Sequence, residues 1–241
     1  MDETWDSHLS RLERQHTRGG STELGYNVVY RLLNAADYGV PQHRHRVFIV
    51  GFRSDLGKAW AFPEATHSFD RLLWEQWVTA SYWEEHGIPE KERPRISSRS
   101  RARLNKLLSD YSLFPPDGER YRTVRDALYG LPDPRVVNTT IANHEYRAGA
   151  RAYPGHTGSA LDKPSKTLKA GDHGVPGGEN MIAFHDGSFR YYTVRESARI
   201  QTFPDDFVFS GSWTEAMRQT GNAVPVELAV AVGRSVMEEI A

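Results

Sequence analysis

The sequence contains 241 residues, 39% of them hydrophobic and 25% charged, with a formal net charge of −1. That length suits one large domain or two small ones, and the composition is ordinary for a globular protein whose overall charge does not indicate nucleic acid. The absence of cysteine excludes disulfides, thiolate metal sites and any cysteine nucleophile among these residues. No apolar run reaches the roughly 18 residues of a membrane span. The acidic residues 1–3 argue against a signal peptide, so we expect a cytoplasmic protein.

Residues 4–24 have helical spacing of apolar residues, which two adjacent glycines interrupt. Strand patterns follow in the rest of the first quarter of the chain. The run 26–33, rich in Val, Tyr and Leu, predicts a strand. Residues 37–41 predict a turn. The continuous apolar run 47–52 is typical of a strand that is buried on both faces of a parallel sheet. We therefore expect two strands of a sheet here.

The middle of the chain changes character. Residues 70–85 predict one amphipathic helix, and residues 98–108 predict a second, exposed helix. Residues 123–126 open a short helix that ends before the Gly and Pro that follow. The stretch 132–180 is rich in Gly, Pro, His and Asp, which favours binding loops held by short strands.

A basic block lies between Lys91 and Lys106, with five Arg and two Lys against one Glu. Such a block is often a solvated loop or helix face. It can equally be a surface that faces phosphates. The sequence leaves both interpretations open.

Helix signals return near the C-terminus. Thr193 and Glu196 have the spacing of a capping box, which predicts a helix through Ile200. Ser212 and Glu215 repeat that spacing. The stretch 224–240 predicts a long final helix with a proline in its first turn.

Three short patterns stand out, each of which alone would be an ordinary polar turn. They are Gln42-x-Arg44-x-Arg46, Arg195-Glu196-x-x-Arg199 and Gly221-Asn222-Ala223-Val224. In this order and spacing, together with residues 33–40, they resemble the last three motifs of the cytosine-5 DNA methyltransferases. The interval 56–190 falls where that family keeps its variable target-recognition domain. The resemblance brackets nearly the whole chain.

The family's other motifs are not found in this sequence. They are a Phe-x-Gly-x-Gly cofactor loop, a Pro-Cys nucleophile loop and a Glu-Asn-Val motif. Carbon 5 of cytosine becomes nucleophilic enough to accept a methyl group only after a thiolate adds at carbon 6. Without a cysteine these residues cannot perform that addition, so we expect no activity from this chain alone.

The resemblance implies roles for the motif residues. A flipped cytosine must be held by hydrogen bonds, and Arg46 would donate to its O2 atom. Gln42 and Arg44 would position nearby backbone. The resemblance also makes Arg44, with Arg46, a catalytic candidate and Gln42 a candidate DNA contact. Asn222, Ala223 and Val224 would close over the methionine end of S-adenosylmethionine, with helix amides available for a carboxylate and only backbone contacts from Ala223.

The resemblance also implies two DNA-reading loops. The first follows Thr167-Leu168, where glycines let backbone approach base edges and side chains supply donors and acceptors. Its candidate DNA contacts are Thr167, Lys169, Asp172 and His173. The second loop is 211–214, with Ser212 and Thr214 as candidates.

Two further groups are expected to have no chemical role. Arg195, Glu196 and Arg199 are expected to be structural, supporting the recognition domain. Three histidines could suggest a metal, but without cysteine or regular ligand spacing we expect none. They are His156, His173 and His185.

These observations predict an α/β fold, made of the C-terminal part of a doubly wound methyltransferase-type sheet and a smaller, loop-rich target-recognition domain. We expect residues 1–55 to be the last strands of the catalytic domain, 56–215 the recognition domain, and 216–241 a terminal helix that returns to the sheet. The predicted function is cytosine methylation of double-stranded DNA with S-adenosylmethionine, together with a chain or upstream segment that carries the cofactor loop and the Pro-Cys nucleophile. A non-catalytic DNA-binding module or truncated relic is the alternative. A third hypothesis is that the chain is a piece of a longer protein.

Overall fold

The computed structural model describes residues 25–111, 114–136, 140–170 and 180–241, which form a mixed α/β protein. The predicted helical stretch 4–24 lies outside the described residues. The chain divides into two compact units. The smaller unit contains residues 25–33, His45–Glu64 and Ala231–Ala241, and the larger unit contains Asn34–Arg44 and Ala65–Val230.

The described residues form seven strands and seven α-helices. The strands are β1 (Tyr26–Asn34), β2 (His45–Arg53), β3 (His67–Ser68), β4 (Glu119–Arg120), β5 (Ser159–Ala160), β6 (Met181–Ala183) and β7 (Phe189–Tyr191). The helices are α1 (Phe69–Trp77), α2 (Ser81–Glu85), α3 (Ser98–Tyr111), α4 (Val124–Leu128), α5 (Val194–Ile200), α6 (Trp213–Asn222) and α7 (Val226–Ile240). No described helix has both the length and the apolar content needed to cross a membrane.

In the smaller unit, β1 and β2 form a two-stranded sheet. Backbone bonds from Ser54 to Gly25 (2.8 Å) and from Ala35 to Arg44 (2.9 Å) lie at its opposite ends, which requires an antiparallel pair. The prediction of a parallel strand buried on both faces at 47–52 is therefore wrong. Val47 and Ile49 are 52% and 54% exposed, because alternate residues of a strand point to opposite faces.

The other face of this sheet carries the packing of the smaller unit. The indole of Trp60 lies 6.2 Å from the ring of Phe52 and 4.6 Å from the ring of Phe62. Its Nε1 donates to Oγ of Ser235 on α7 at 2.9 Å. The buried indole therefore both fills the core and satisfies its N–H, as a buried tryptophan requires.

The larger unit contains the two remaining sheets. Strands β3 and β4 pair in parallel, β5 and β6 pair in parallel, and β6 and β7 pair antiparallel. One apolar cluster packs around the three-stranded sheet and includes Leu168, Ile182 and Tyr192. A second, around α1 and α2, includes Leu72 and Trp83. These short strands with long loops match the predicted loop-rich architecture for the described part of 132–180.

The predicted helix 70–85 is two helices, α1 and α2. The break is at Val78–Ala80, where Ala80 has a φ of 61°, a conformation that L-residues seldom adopt. Farther on, the capping box of α5 forms as predicted, with Thr193 accepting from the Glu196 amide. The final helix begins at Val226, directly after Pro225.

The compact units differ from the predicted domain boundaries in three places. The first boundary lies at Glu64 rather than at residue 55. The connection Asn34–Arg44 belongs to the larger unit, and the chain returns to the smaller unit at Ala231 rather than at residue 216. Arg44 and Arg46 of one motif therefore belong to different units.

Candidate functional site

The first motif is paired with the start of the first predicted DNA-reading loop. Gln42 forms a parallel bridge with Ser165, and the His43 amide donates to the Ser165 carbonyl at 2.9 Å. Gln42 is fully buried, and its Oε1 accepts from the Leu168 amide at 2.8 Å. The hydroxyl of Thr167 donates to the His43 carbonyl at 2.6 Å. Gln42 and Thr167 thus hold backbone in this structure, and Gln42 is shielded from solvent.

Arg44 joins three segments of the larger unit. Its side chain is fully buried, its Nη1 donates to the Leu168 carbonyl at 3.0 Å, and its Nη2 donates to the carbonyls of Gly221 (2.6 Å) and Ala223 (2.9 Å). A guanidinium suits this task because its planar fork holds several acceptors at fixed angles. The side chain of Arg44 therefore connects these segments and is kept away from solvent.

Gly221 is required by close backbone packing at the same place. A Cβ on Gly221 would lie 2.6 Å from the Lys169 carbonyl carbon and closer still to the Ala170 nitrogen. The Asn180 side chain brackets Lys169, accepting from its amide at 3.0 Å and donating to its carbonyl at 2.9 Å. The backbone of Lys169 is therefore fixed, while its side chain is exposed.

The end of α5 is tied to the beginning of α7. The Val226 amide donates to the Gln201 carbonyl at 3.0 Å, and the Glu227 amide donates to the Thr202 hydroxyl at 2.9 Å. Two first-turn amides of α7 are thus already bonded within the chain. These two amides are therefore not free to meet a carboxylate of a cofactor.

The predicted cofactor-closing residues differ in accessibility. The Ala223 amide donates to the Gln219 carbonyl at 3.1 Å, and the Ala223 carbonyl accepts from Arg44. Both backbone groups of Ala223 are therefore hydrogen-bonded within the chain. Asn222 and Val224 are exposed. Any contact of this segment with a cofactor therefore falls to these two residues.

The Arg-Glu-x-x-Arg motif occupies structural positions. Arg195 is buried and donates to the carbonyls of Ala142 (3.2 Å), Pro204 (3.3 Å) and Phe207 (2.9 Å). Glu196 accepts two 2.7 Å bonds from Arg190, also buried. Arg199 pairs with Asp205 at 2.8 and 2.6 Å. These contacts tie α5 to the neighbouring loops and to β7.

The remaining predicted residues are accessible or lie outside the described residues. Arg46, in the smaller unit, is half-buried and donates to the adjacent His45 carbonyl at 2.7 Å. Ser212 is exposed and caps α6 by accepting from the Glu215 amide, while Thr214 is half-buried. Asp172 and His173 lie outside the described residues.

One charged network was not predicted. Arg120 pairs with Glu75 (3.3 Å), Glu85 (3.0 Å) and Asp126 (2.7 Å), and His86 lies 2.9 Å from Asp126. Burial alone would raise the pKa of Asp126. The hydrogen bonds from His86 and Arg120 outweigh the effect of burial, so the pKa of Asp126 is lowered. Glu85, His86 and Asp126 have the arrangement of a metal site. Arg120 pairs with both carboxylates of this group, Glu85 and Asp126, so the structure shows an ion-pair network here.

A second network lies around Asp162, which is buried. It accepts hydrogen bonds from Tyr82 (2.9 Å) and Arg125 (2.6 Å), and Nε2 of His185 lies 2.7 Å from its Oδ2. Burial and the adjacent carboxylate raise the pKa of Tyr82, which keeps its hydroxyl protonated as a donor. His185 therefore has a structural partner. No local sequence signal predicts either network, because the partners come from distant segments.

Comparisons with known proteins identify the family of the chain. The family model of the C-5 cytosine-specific DNA methylases matches residues 21–238. Type II methyltransferase M.SacI of Streptomyces achromogenes is 33% identical over 98% of this chain and 58% of its own length. Type II methyltransferase M.NgoFVII of Neisseria gonorrhoeae is 35% identical over 88% of this chain and 50% of its own length. A crystal structure of a putative DNA modification methyltransferase encoded within an E. coli prophage aligns with a TM-score of 0.47 at 19% identity, over 89% of this chain and 61% of that one.

The α/β fold is methyltransferase-like, and Arg44 joins the first motif to the start of the predicted reading loop and to the Gly-Asn-Ala-Val motif. The family match covers more than half of the chain, and the chain belongs to the C-5 cytosine-specific DNA methylase family. It spans about half the length of the curated relatives described above.

Proposed function

We propose that this chain takes part in the methylation of cytosine carbon 5 in double-stranded DNA, supplying target recognition, flipped-base contacts and closure of the cofactor site. The observation that carries the proposal is the buried Arg44 guanidinium, bonded to the carbonyls of Leu168, Gly221 and Ala223. It fixes the start of the reading loop and the Gly-Asn-Ala-Val motif against the first motif. Such preorganisation by buried supporting bonds is what a binding site requires.

The roles divide by accessibility. Arg46, whose side chain is partly exposed, holds O2 of the flipped cytosine, since a guanidinium offers several donors. Thr167 fixes the loop, and the exposed Lys169 reads a base edge. Asp172 and His173, which follow in the sequence, are further candidate DNA contacts, as are Ser212 and Thr214 of the second predicted loop.

S-adenosylmethionine supplies the methyl group. The fit of the chain to this cofactor rests on the exposed Asn222 amide, which offers both a donor and acceptors beside the clamped Ala223. Asn222 binds the polar methionine end, and Val224 shields it from water. Since the Val226 and Glu227 amides of α7 are bonded internally, these two amides take no part.

The thiolate comes from residues outside this sequence, on the same or a separate polypeptide, because the sequence contains no cysteine. The antiparallel sheet of the smaller unit supports a docking role. Its register places Tyr30 opposite Ile49 and Leu32 opposite Val47, and these side chains are 42–61% exposed. An exposed apolar face of this kind marks an interaction surface.

Reconstitution tests the proposal. The chain is mixed with the cysteine-bearing half of a family member, and transfer of a labelled methyl group to mixed-sequence duplex DNA is measured. We expect transfer with that half and none when its nucleophilic cysteine is replaced by serine. A chain that binds specific DNA sites yet supports no transfer with any such half is a DNA-binding module, and the enzymatic proposal fails.

A further inference from the structure

The basic block between Lys91 and Lys106 forms a defined surface of the larger unit. Ser100, Leu104 and Leu107 of α3 are buried, so this helix is anchored by its inner face. Three cations at spacings of four and three residues lie along one outer flank, because such positions share a helix face. This basic stripe consists of Arg99, Arg103 and Lys106.

The charges of the stripe are largely uncompensated. Among the described residues, Arg99 and Lys106 form no ion pair, and neither do the neighbouring Arg95 and Arg101. Arg103 pairs with Asp70, and its guanidinium lies over the Phe69 ring at 5.3 Å. One carboxylate, Asp110, follows the stripe at its C-terminal end. Exposed cations along one flank of a helix produce a positive surface potential that attracts polyanions.

The stripe borders a cleft that reaches the first motif. The cleft has a volume of about 660 Å³, and its walls include His43, Phe69, Tyr121 and Arg103. The rings of His43 and Tyr121 are 5.8 Å apart, and those of Tyr121 and Phe69 are 6.0 Å apart. A continuous row of rings therefore leads from the first motif to the basic helix.

We propose that the basic stripe of α3 binds the phosphodiester backbone of the duplex that flanks the target base. Arg99 and Lys106 are seven residues apart, about 10 Å along the helix axis. Measured along the DNA axis, where the phosphates of one strand rise about 3.4 Å each, that distance corresponds to about three phosphates. The contact is independent of sequence, because phosphates carry no base information. This inference rests on the proposed function, which places DNA at the first motif.

The test measures binding of the full chain to a mixed-sequence duplex by fluorescence anisotropy over a range of salt concentrations. Replacing both exposed cations, Arg99→Gln and Lys106→Gln, should weaken binding to every duplex and reduce the slope of log affinity against log salt by about 2, since each lost phosphate contact contributes about 0.9. The matched control, Arg53→Gln with Arg234→Gln, makes the same charge change on the smaller unit and should alter the slope by less than about 0.5. Arg99→Lys, which keeps the charge, should retain the slope.

Circular dichroism checks that the variants fold. If the double variant is unfolded, the single variants Arg99→Gln and Lys106→Gln should each reduce the slope by about 1. Equal behaviour of the stripe and control variants, in a chain that binds DNA, overturns the inference and leaves the proposed function intact. Failure of the unmodified chain to bind any duplex contradicts its proposed DNA-recognition role instead. Loss of polyglutamate binding with duplex binding unchanged also overturns the inference, in favour of an acidic protein partner.

Discussion

Arg44 and Arg46 are two residues apart but have different surroundings. Arg44 is buried with three carbonyl partners, whereas Arg46 is half-buried and bonds to an adjacent carbonyl. Arg44→Ala leaves buried acceptors unsatisfied, so it should lower the free energy of unfolding by about 3 kcal/mol. Arg46→Ala, the matched control, should change it by less than about 0.5 kcal/mol. Urea unfolding measures both, and equal losses would show that the Arg44 clamp does not hold the junction.

Arg46 and Lys169 should differ in their effect on methylation by the reconstituted enzyme. Arg46→Ala removes a contact to the flipped base, so it should slow methyl transfer at every site by a similar factor. Lys169→Ala should change which sites are methylated, because one base-edge contact discriminates by about 1–3 kcal/mol. Methylation rates on a panel of duplexes separate the two effects. The reverse pattern would mean that the loop reads no bases and that the first motif sets the sequence preference.

Among the elements, the short helix α4 depends on the carboxylate of Asp126. This carboxylate accepts hydrogen bonds from the Thr123 amide (2.6 Å), from Arg120 (2.7 Å) and from His86 (2.9 Å). These bonds outweigh the effect of burial and lower the pKa of Asp126. A carboxyl whose pKa is lower in the folded than in the unfolded chain stabilises the fold above its unfolded pKa, near 3.9. That contribution is lost as the pH falls through the lower, folded pKa.

Asp126→Asn should therefore lower the free energy of unfolding by about 2 kcal/mol at neutral pH, and the difference from the unmodified chain should shrink below about pH 4. Asp206→Asn, an exposed aspartate, serves as the control and should show no such pH-dependent difference. Urea unfolding at several pH values measures the effect. A difference that persists unchanged in acid would exclude the carboxylate as its source.

The apolar face of β1 and β2 should mediate association with the cysteine-bearing half. Val47→Thr with Ile49→Thr keeps β-branched side chains suited to a strand but weakens apolar burial, so affinity for that half should fall about tenfold, or about 1.4 kcal/mol. Val136→Thr with Val208→Thr changes two exposed valines of the larger unit and should have little effect. Titration calorimetry measures both. Equal affinities of the two double variants would rule this face out as the interface.

Across the whole molecule, local patterns predicted local structure. Thr193 and Glu196 are three residues apart, so their capping box could be recognised from spacing alone, and it is present. The burial of Arg44 could not be recognised from the sequence, because its partners lie 124–179 residues away. The break at Ala80 also has no sequence marker, since a positive φ at alanine is imposed by tertiary packing. The motif residues were found by their order along the chain, and their contacts came only from the fold.

The central claim is that this chain holds the target and closes the cofactor site but supplies no nucleophile. The most direct measurement incubates the chain alone with labelled S-adenosylmethionine and mixed-sequence duplex DNA and counts the label that enters the DNA. Because no cysteine is present to add at carbon 6, the account predicts incorporation equal to a blank without protein. Sustained incorporation on cytosine carbon 5 by the chain alone would contradict it.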